Sequence, residues 1–244
     1  MENNGVRINK FLSEAGVCSR READRKIEAG QVTIDGKTAV PGDRVLAGQE
    51  VLVDGVRVQK EEKMVLLALY KPVGIVCTAE KREKNNVIDF LHYPMRVYPV
   101  GRLDKDSEGL LLLTNNGDIV NKMMRAGNYH EKEYIVTVNK PVSEPFLRGM
   151  AGGVPLVELG TTTRKCRVEK IASRSFRIVL TQGLNRQIRR MCEYFGYRVE
   201  KLTRVRIMNI ELGDLAPGEY REVTEKEYNE LQKLIRNSKN NYKT

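Results

Sequence analysis

Residues 98–118 read Y-P-V-G-R-L-D-K-D-S-E-G-L-L-L-L-T-N-N-G-D. The first half is a loop rich in Arg, Asp and Gly, and it runs directly into Leu110–Leu113. Four successive leucines closed by a Thr-Asn-Asn-Gly turn signal predict a strand buried on both faces. A loop feeding such a strand is where a scaffold can hold a polar group rigidly at the edge of a cleft. Asp104 and Asp106 are the two carboxylates so placed, and spacing alone does not choose between them.

Outward from this stretch, strand-like segments recur from Val65 onward: V-L-L-A-L-Y, G-I-V-C-T, E-Y-I-V-T-V, K-C-R-V-E-K-I and F-R-I-V-L-T. Helices are expected near Ile119–Met124, Glu144–Met150, Asn185–Phe195 and Glu225–Ile235, the last opened by a Thr224/Glu227 capping box. Strands outnumbering scattered helices predict an α+β domain with a mixed, mainly antiparallel sheet. The first 60 residues read differently. Ile8, Phe11, Leu12 and Ala15 form the apolar stripe of a short helix, and Ser19 with Glu22 opens a second that buries Ala23 and Ile27. Two short hairpins with Asp35-Gly36 and Asp54-Gly55 turns follow. The expected division is a small N-terminal α/β domain at 1–60, a linker at 61–64, a larger domain at 65–236 and a disordered polar tail at 237–244.

The net charge of +10 favours a polyanionic partner, and its distribution sharpens that reading. Residues 1–60 carry 10 Lys/Arg against 9 Asp/Glu, so the excess lies in the larger domain. Leu184–Arg206 alone holds seven basic residues against Glu193 and Glu200. The four cysteines are far apart in sequence and the only histidines are His92 and His130, so neither a disulfide framework nor a structural zinc site is expected. With no apolar run near the ~18 residues of a membrane span and no secretory leader at the start, a cytoplasmic protein without membrane contact is expected.

The segment R-I-N-K-F-L-S-E-A-G-V-C-S-R-R-E-A-D-R-K-I-E-A-G-Q-V-T-I-D-G-K resembles the alpha-L RNA-binding motif. That resemblance implies that the second helix lays Arg20, Arg21, Arg25 and Lys26 along an RNA backbone. In the larger domain, G-R-L-D-x-x-S-x-G-L-L-L-L-T-N resembles the signature of the RsuA/RluB/RluE/RluF family of ribosomal RNA pseudouridine synthases. L-Y-K-P-V-G at Leu69–Gly74, H-E-K-E-Y-I-V-T-V at His130–Val138 and L-N-R-Q-I-R-R-M-C-E-Y-F-G-Y at Leu184–Tyr197 are similar to further family motifs, in the family's order. Together the likeness spans about Arg7 to Tyr220. The segments R-A-G-N-Y-H-E-K-E-Y and N-R-Q-I-R-R-M-C-E-Y-F-G-Y are closer to the large-subunit branch, its RluF type in particular. The alternatives are a small-subunit enzyme of the same family and a non-catalytic RNA-binding assembly factor.

The resemblance implies Asp104 as the catalytic aspartate, Tyr134 as the tyrosine packed on the target base and Arg189 as the basic residue paired with the aspartate. It implies Arg102 in the space vacated by a flipped nucleotide, and Arg186 and Arg190 as further RNA-facing residues. Tyr70 and Lys71 are expected in the lining of the substrate pocket. The partner implied is a stem-loop of ribosomal RNA, bound by a monomer. Pseudouridine formation breaks the bond from ribose to a uracil nitrogen, rotates the base and rejoins it through a carbon, so no metal or redox cofactor is expected. A carboxylate can serve it as nucleophile toward the sugar or as base toward the neighbouring carbon, and the sequence leaves both open.

Overall fold

The computed structural model describes residues 5–59, 63–80 and 82–238. The chain divides into two compact units, Met1–Met64 with Pro94–Arg96, and Val65–Tyr93 with Val97–Thr244. The expected linker therefore falls partly outside the described residues, as does the expected polar tail from Lys239 onward.

In the first unit, β1 (Val6–Arg7) leads into α1 (Ile8–Glu14), which buries Ile8 and Leu12 one turn apart. The second helix, α2 (Arg20–Glu28), starts where the Ser19 hydroxyl accepts the Glu22 backbone N–H at 3.2 Å. Only this half of the expected capping box forms, because the Glu22 carboxylate instead accepts from Arg25 at 2.7 Å. Strands β2 (Val32–Ile34), β3 (Lys37–Thr38), β4 (Arg44–Val45), β5 (Val51–Val53) and β6 (Val56–Arg57) follow. Four of them form a sheet in the order β3-β2-β5-β6, while β4 pairs β1. Its two hairpins turn at Asp35-Gly36 and Asp54-Gly55, where all four residues have φ between 48° and 78°. That left-handed pair is what a two-residue turn needs to match the strand twist. Ile8, Leu12, Ala23, Ile27, Val32, Val45, Val51 and Val53 make the core between helices and sheet.

The second unit runs β7 (Leu66–Lys71), α3 (Val87–Leu91), β8 (Tyr98–Val100), β9 (Glu108–Thr114), α4 (Gly117–Met124), β10 (Lys132–Val138) and α5 (Glu144–Gly152). It continues with β11 (Pro155–Leu156), β12 (Thr161–Thr162), β13 (Arg167–Ala172), β14 (Ser175–Leu180), α6 (Gln187–Tyr194), β15 (Val199–Ile207), β16 (Ile210–Glu211), β17 (Tyr220–Glu222) and α7 (Glu225–Ile235). The main sheet is ordered β13-β14-β10-β15-β9-β7-β17, with β16 on β15 and β8 on β9. Only the β15–β9 contact is parallel, so the mixed, mainly antiparallel expectation holds.

The leucine run is the centre of this sheet. Leu110–Leu113 in β9 are all fully buried, each side chain contributing roughly 1.5–3 kcal/mol through removal from water. One edge of β9 pairs with β7 along its length. The other edge is shared, with β15 opposite Glu108 and Gly109 and β8 opposite Leu112–Thr114. Leu110 and Leu111 thus have no strand partner on that edge, and the loop 101–107 rises over this gap.

One sequence expectation fails here, and one strand lies outside the expectations. G-I-V-C-T is not a strand: Val76 makes only an isolated bridge to Asn86, and Gly74 adopts φ +94°. The Lys71 ammonium explains the bend, since it binds the carbonyls of Pro72 and Ile75 at 2.8 Å each and folds the chain around itself. Conversely, β15 was hidden in the basic stretch of the sequence, because V-E-K-L-T-R-V-R-I reads as a charged surface rather than a central strand. Among the described residues no helix is long and apolar enough to cross a membrane.

Candidate active site

A cleft of about 430 Å³ opens where β9, β10 and β15 meet the loop between β8 and β9. Its walls include Arg102, Asp104, Ser107, Lys132, Tyr134, Gly183, Arg186 and Arg204. Asp104 lines it and Asp106 does not. The two carboxylates also differ in what holds them. Both oxygens of Asp106 accept from the Arg186 guanidinium, at 3.1 and 3.0 Å. Burial pulls the Asp106 carboxyl upward, but the Arg186 hydrogen bond and the charges of Arg189 and Arg186 outweigh it and leave the group below its ordinary range. Among the described residues the one ion pair of the Asp104 carboxylate is with Arg186 at 3.9 Å, and its side chain is one-third exposed.

The expected pairing of Asp104 with Arg189 is therefore corrected. Arg189, on the first turn of α6 and only 7 % exposed, donates from Nη2 to the Asp106 carbonyl at 2.8 Å and to the Ser107 hydroxyl at 3.2 Å. It reaches the Asp106 carboxylate at 3.4 Å. The reason is local: Arg186 occupies the space toward Asp104. Arg186 sits at the N-cap of α6 with φ +48°, a left-handed conformation uncommon for a side chain of its size. Such strain costs on the order of 1–3 kcal/mol and persists where the surroundings over-determine it.

More contacts fix the loop that carries Asp104. The Gly74 N–H donates to the Lys105 carbonyl at 2.8 Å, the Ser107 N–H to the Asp104 carbonyl at 3.1 Å, and the Leu103 N–H to Cys77 Sγ at 3.3 Å. Arg204 closes the gap left between β15 and β8. Its Nε donates to the unpaired Leu110 carbonyl at 2.7 Å and its Nη1 to the Arg102 carbonyl at 3.4 Å. Gly109 permits this arrangement, since a Cβ there would lie 2.3 Å from the Arg204 carbonyl oxygen.

Tyr134, partly buried on β10, lines the cleft and packs on the core beneath α6. Tyr70 and Lys71 do not line it, contrary to expectation. The Tyr70 hydroxyl donates to Glu108 at 2.8 Å, and burial together with that bond pushes its pKa up to about 12. Lys71 is fully buried, and desolvation draws its ammonium below the usual range despite attraction from Cys77, Asp104 and Asp106. Both support the site from behind. Arg102 is exposed at the cleft wall. Arg190 is not a free cation, because it forms an ion pair with Glu158. In the first unit, Arg20, Arg21 and Arg25 are exposed along α2, and Lys26 is tied to Asp54 at 2.8 Å.

Two charged lining residues, Lys132 and Arg204, are not among the residues singled out from the sequence. Lys132 lies two residues before Tyr134, and period-two alternation puts both on one face of β10. Arg204 was not legible, because it depends on a β-bulge. Glu133 pairs with Arg206 but Tyr134 pairs with Arg204, leaving Val205 unopposed. The bulge turns Arg204 to the Tyr134 face while Arg206 bonds Glu133 on the other, at 2.8 Å.

Asp104 and Tyr134 line one cleft of this sheet domain, and its likeness to known proteins says which class of enzyme carries it. Residues 65–194 match the family model described as RNA pseudouridylate synthase, residues 6–51 match the S4 domain, and the chain belongs to the RNA pseudouridine synthase family. Among curated relatives, the dual-specificity RNA pseudouridine synthase RluF of Escherichia coli (strain K12) is 56 % identical over 245 residues, covering 100 % of this chain and 84 % of that protein. The ribosomal large subunit pseudouridine synthase B of Bacillus subtilis (strain 168) is 35 % identical over 241 residues, covering 96 % and 98 %. A crystal structure of a pseudouridylate synthase superposes with a TM-score of 0.68 at 28 % identity, over 94 % of this chain and 99 % of that one. The protein is an isomerase that acts on RNA.

Proposed function

We propose that this enzyme isomerises a specific uridine of large-subunit ribosomal RNA in the cytoplasm, with Asp104 as its reacting carboxylate. One observation carries the assignment: Asp104 is the cleft carboxylate whose oxygens accept no hydrogen bond among the described residues, whereas both oxygens of Asp106 are engaged. A group that must meet the ribose needs free lone pairs at the cleft surface. The Bacillus subtilis relative, a ribosomal large subunit pseudouridine synthase, favours the ribosomal substrate.

The target nucleotide leaves its stack, because duplex geometry hides the bond between sugar and base. Its uracil enters the cleft against Tyr134, whose ring supplies a stacking surface, and Asp104 meets the ribose. Breaking the C1′–N1 bond sends its electron pair to uracil. The ring then rotates, C5 bonds to C1′, and the C5 proton leaves to restore the aromatic ring. The Tyr134 hydroxyl handles that proton. Arg189 and Arg186 act as positioning residues, since they hold the loop that carries Asp104. Arg102 at the wall meets the strand around the flipped base, and Arg190 does so by exchanging Glu158 for a phosphate. Arg20, Arg21, Arg25 and Lys26 of α2 supply phosphate contacts, Lys26 weakly because Asp54 already holds it.

The test is to map pseudouridine across ribosomal RNA from cells with and without the gene, and with Asp104→Asn restored in its place. A large-subunit uridine modified only with the intact gene is expected. An unchanged map would remove the ribosomal assignment.

A further inference from the structure

Lys132 and Arg204 are the two most buried cationic side chains in the cleft wall, at 5 % and 1 % exposure. Neither is neutralised there. Among the described residues Lys132 has no hydrogen-bond or ion-pair partner, and Arg204 has carbonyls but no carboxylate. Its Nη2 is fully buried with no acceptor at all. Burial and the neighbouring Arg204 charge pull the Lys132 ammonium down to about 8. Burying two like charges together without an anion is costly, and native proteins rarely leave such groups unsatisfied. The missing partner is one that arrives with the reaction.

We propose that Lys132 and Arg204 form a cationic floor that stabilises the negative charge developing on uracil as its bond to ribose breaks. The inference rests on Asp104 being the reacting carboxylate. When C1′–N1 breaks, the electron pair leaves on uracil and spreads from N1 onto the carbonyl oxygens. Donors already fixed in a nearly dry wall need no reorganisation to meet that charge, so they act where it appears and not before. When C5 bonds to C1′ the pair enters the new bond, the C5 proton departs, and no net charge or electron is gained. Tyr134 in the same wall favours this over a phosphate ligand, since its ring is a stacking surface for a base. A backbone phosphate carries two ester arms and needs a groove open at both ends. The planar base is a terminal group that can enter a recess beside Tyr134.

The experiment compares Lys132→Met, Lys132→Arg and the unaltered enzyme in single turnover at saturating RNA, with uridine or 5-fluorouridine at the target. Fluorine makes the uracil anion a better leaving group and lessens the need for help. For uridine, Lys132→Met is expected to slow formation of the rearranged nucleoside by roughly 10²–10³-fold, as loss of one such donor does elsewhere. For 5-fluorouridine the loss should shrink by about tenfold or more, with RNA affinity changed less than threefold. Lys132→Arg should recover part of the rate. Thermal unfolding of Lys132→Met should show a protein at least as stable, separating chemistry from misfolding. Equal losses for both substrates would overturn the proposal in favour of a positioning role. A loss confined to RNA affinity would overturn it in favour of a phosphate contact. If Asp104→Asn is inactive while Lys132→Met keeps full rate, this inference fails and the Asp104 assignment stands.

Discussion

The Arg189 guanidinium donates to the backbone carbonyl of Asp106 at 2.8 Å and so holds the loop, not the carboxylate, that carries Asp104. Arg186 is the cation next to Asp104, and it donates two hydrogen bonds to the Asp106 carboxylate.

Arg189→Ala should therefore lose activity by misplacing the loop. The Asp106 carbonyl and Ser107 hydroxyl would lose a buried donor, at about 1–3 kcal/mol. We expect turnover to fall by roughly a hundredfold, since small displacements of a reacting group cost that much. The shape of the pH–rate profile should stay as in the unaltered enzyme. Arg189→Lys should recover part of the rate. A profile displaced along the pH axis would instead place Arg189 in direct contact with Asp104.

Asp106→Asn separates the two carboxylates. Asparagine keeps one acceptor for Arg186 and leaves the backbone carbonyl bonded to Arg189. The rate should fall tenfold or less, measured in single turnover beside Asp104→Asn. A complete loss would show that Asp106 takes part in the chemistry.

Lys132 gives a pH signature in stability. Its ammonium titrates near 8 in the folded chain against an ordinary 10.5. The unfolded chain thus binds more protons between those values, and native stability should rise with pH across that window. The shift corresponds to about 3 kcal/mol of destabilisation at neutral pH. Lys132→Met should be the more stable protein at pH 7, and its advantage should shrink as pH climbs from 8 toward 10. Denaturant unfolding at several pH values checks this; an advantage that does not vary with pH would contradict it.

The exposed arginines of α2 make a prediction about salt. Each phosphate contact contributes about 0.7–0.9 to the slope of log affinity against log salt. Replacing Arg20 and Arg21 together by alanine should lower that slope by about 1.4–1.8 if both touch RNA, with the single-turnover rate at saturating RNA nearly unchanged. An unaltered slope would take α2 out of the RNA interface.

Much of this was legible in the sequence for identifiable reasons. Leu110–Leu113 could only be a doubly buried strand, the Asp-Gly pairs could only be tight turns, and Thr224/Glu227 forms its capping box as read. The motif order brought Asp104, Tyr134 and Arg186 to one cleft. What stayed hidden depends on contacts between distant residues. The Lys71 ammonium bends G-I-V-C-T by capturing two carbonyls, and no local propensity announces that. Arg204 reaches the site through a bulge, whereas regular alternation would have paired its fate with that of Arg206. The Arg189 assignment erred because sequence order shows which residues gather at a site but not which atom each one meets.

On the proposed function, Asp104 performs the chemistry while Arg186 and Arg189 hold its loop. The most direct measurement is single-turnover pseudouridine formation by Asp104→Asn at saturating RNA, with RNA affinity and thermal unfolding measured on the same preparation. Asparagine preserves the shape but can neither attack nor accept a proton as a carboxylate does. The expected result is no detectable product, with affinity within about threefold and unfolding within about 1 kcal/mol of the unaltered protein, as for a surface change away from the core. Product formation at a substantial fraction of the normal rate would contradict the account.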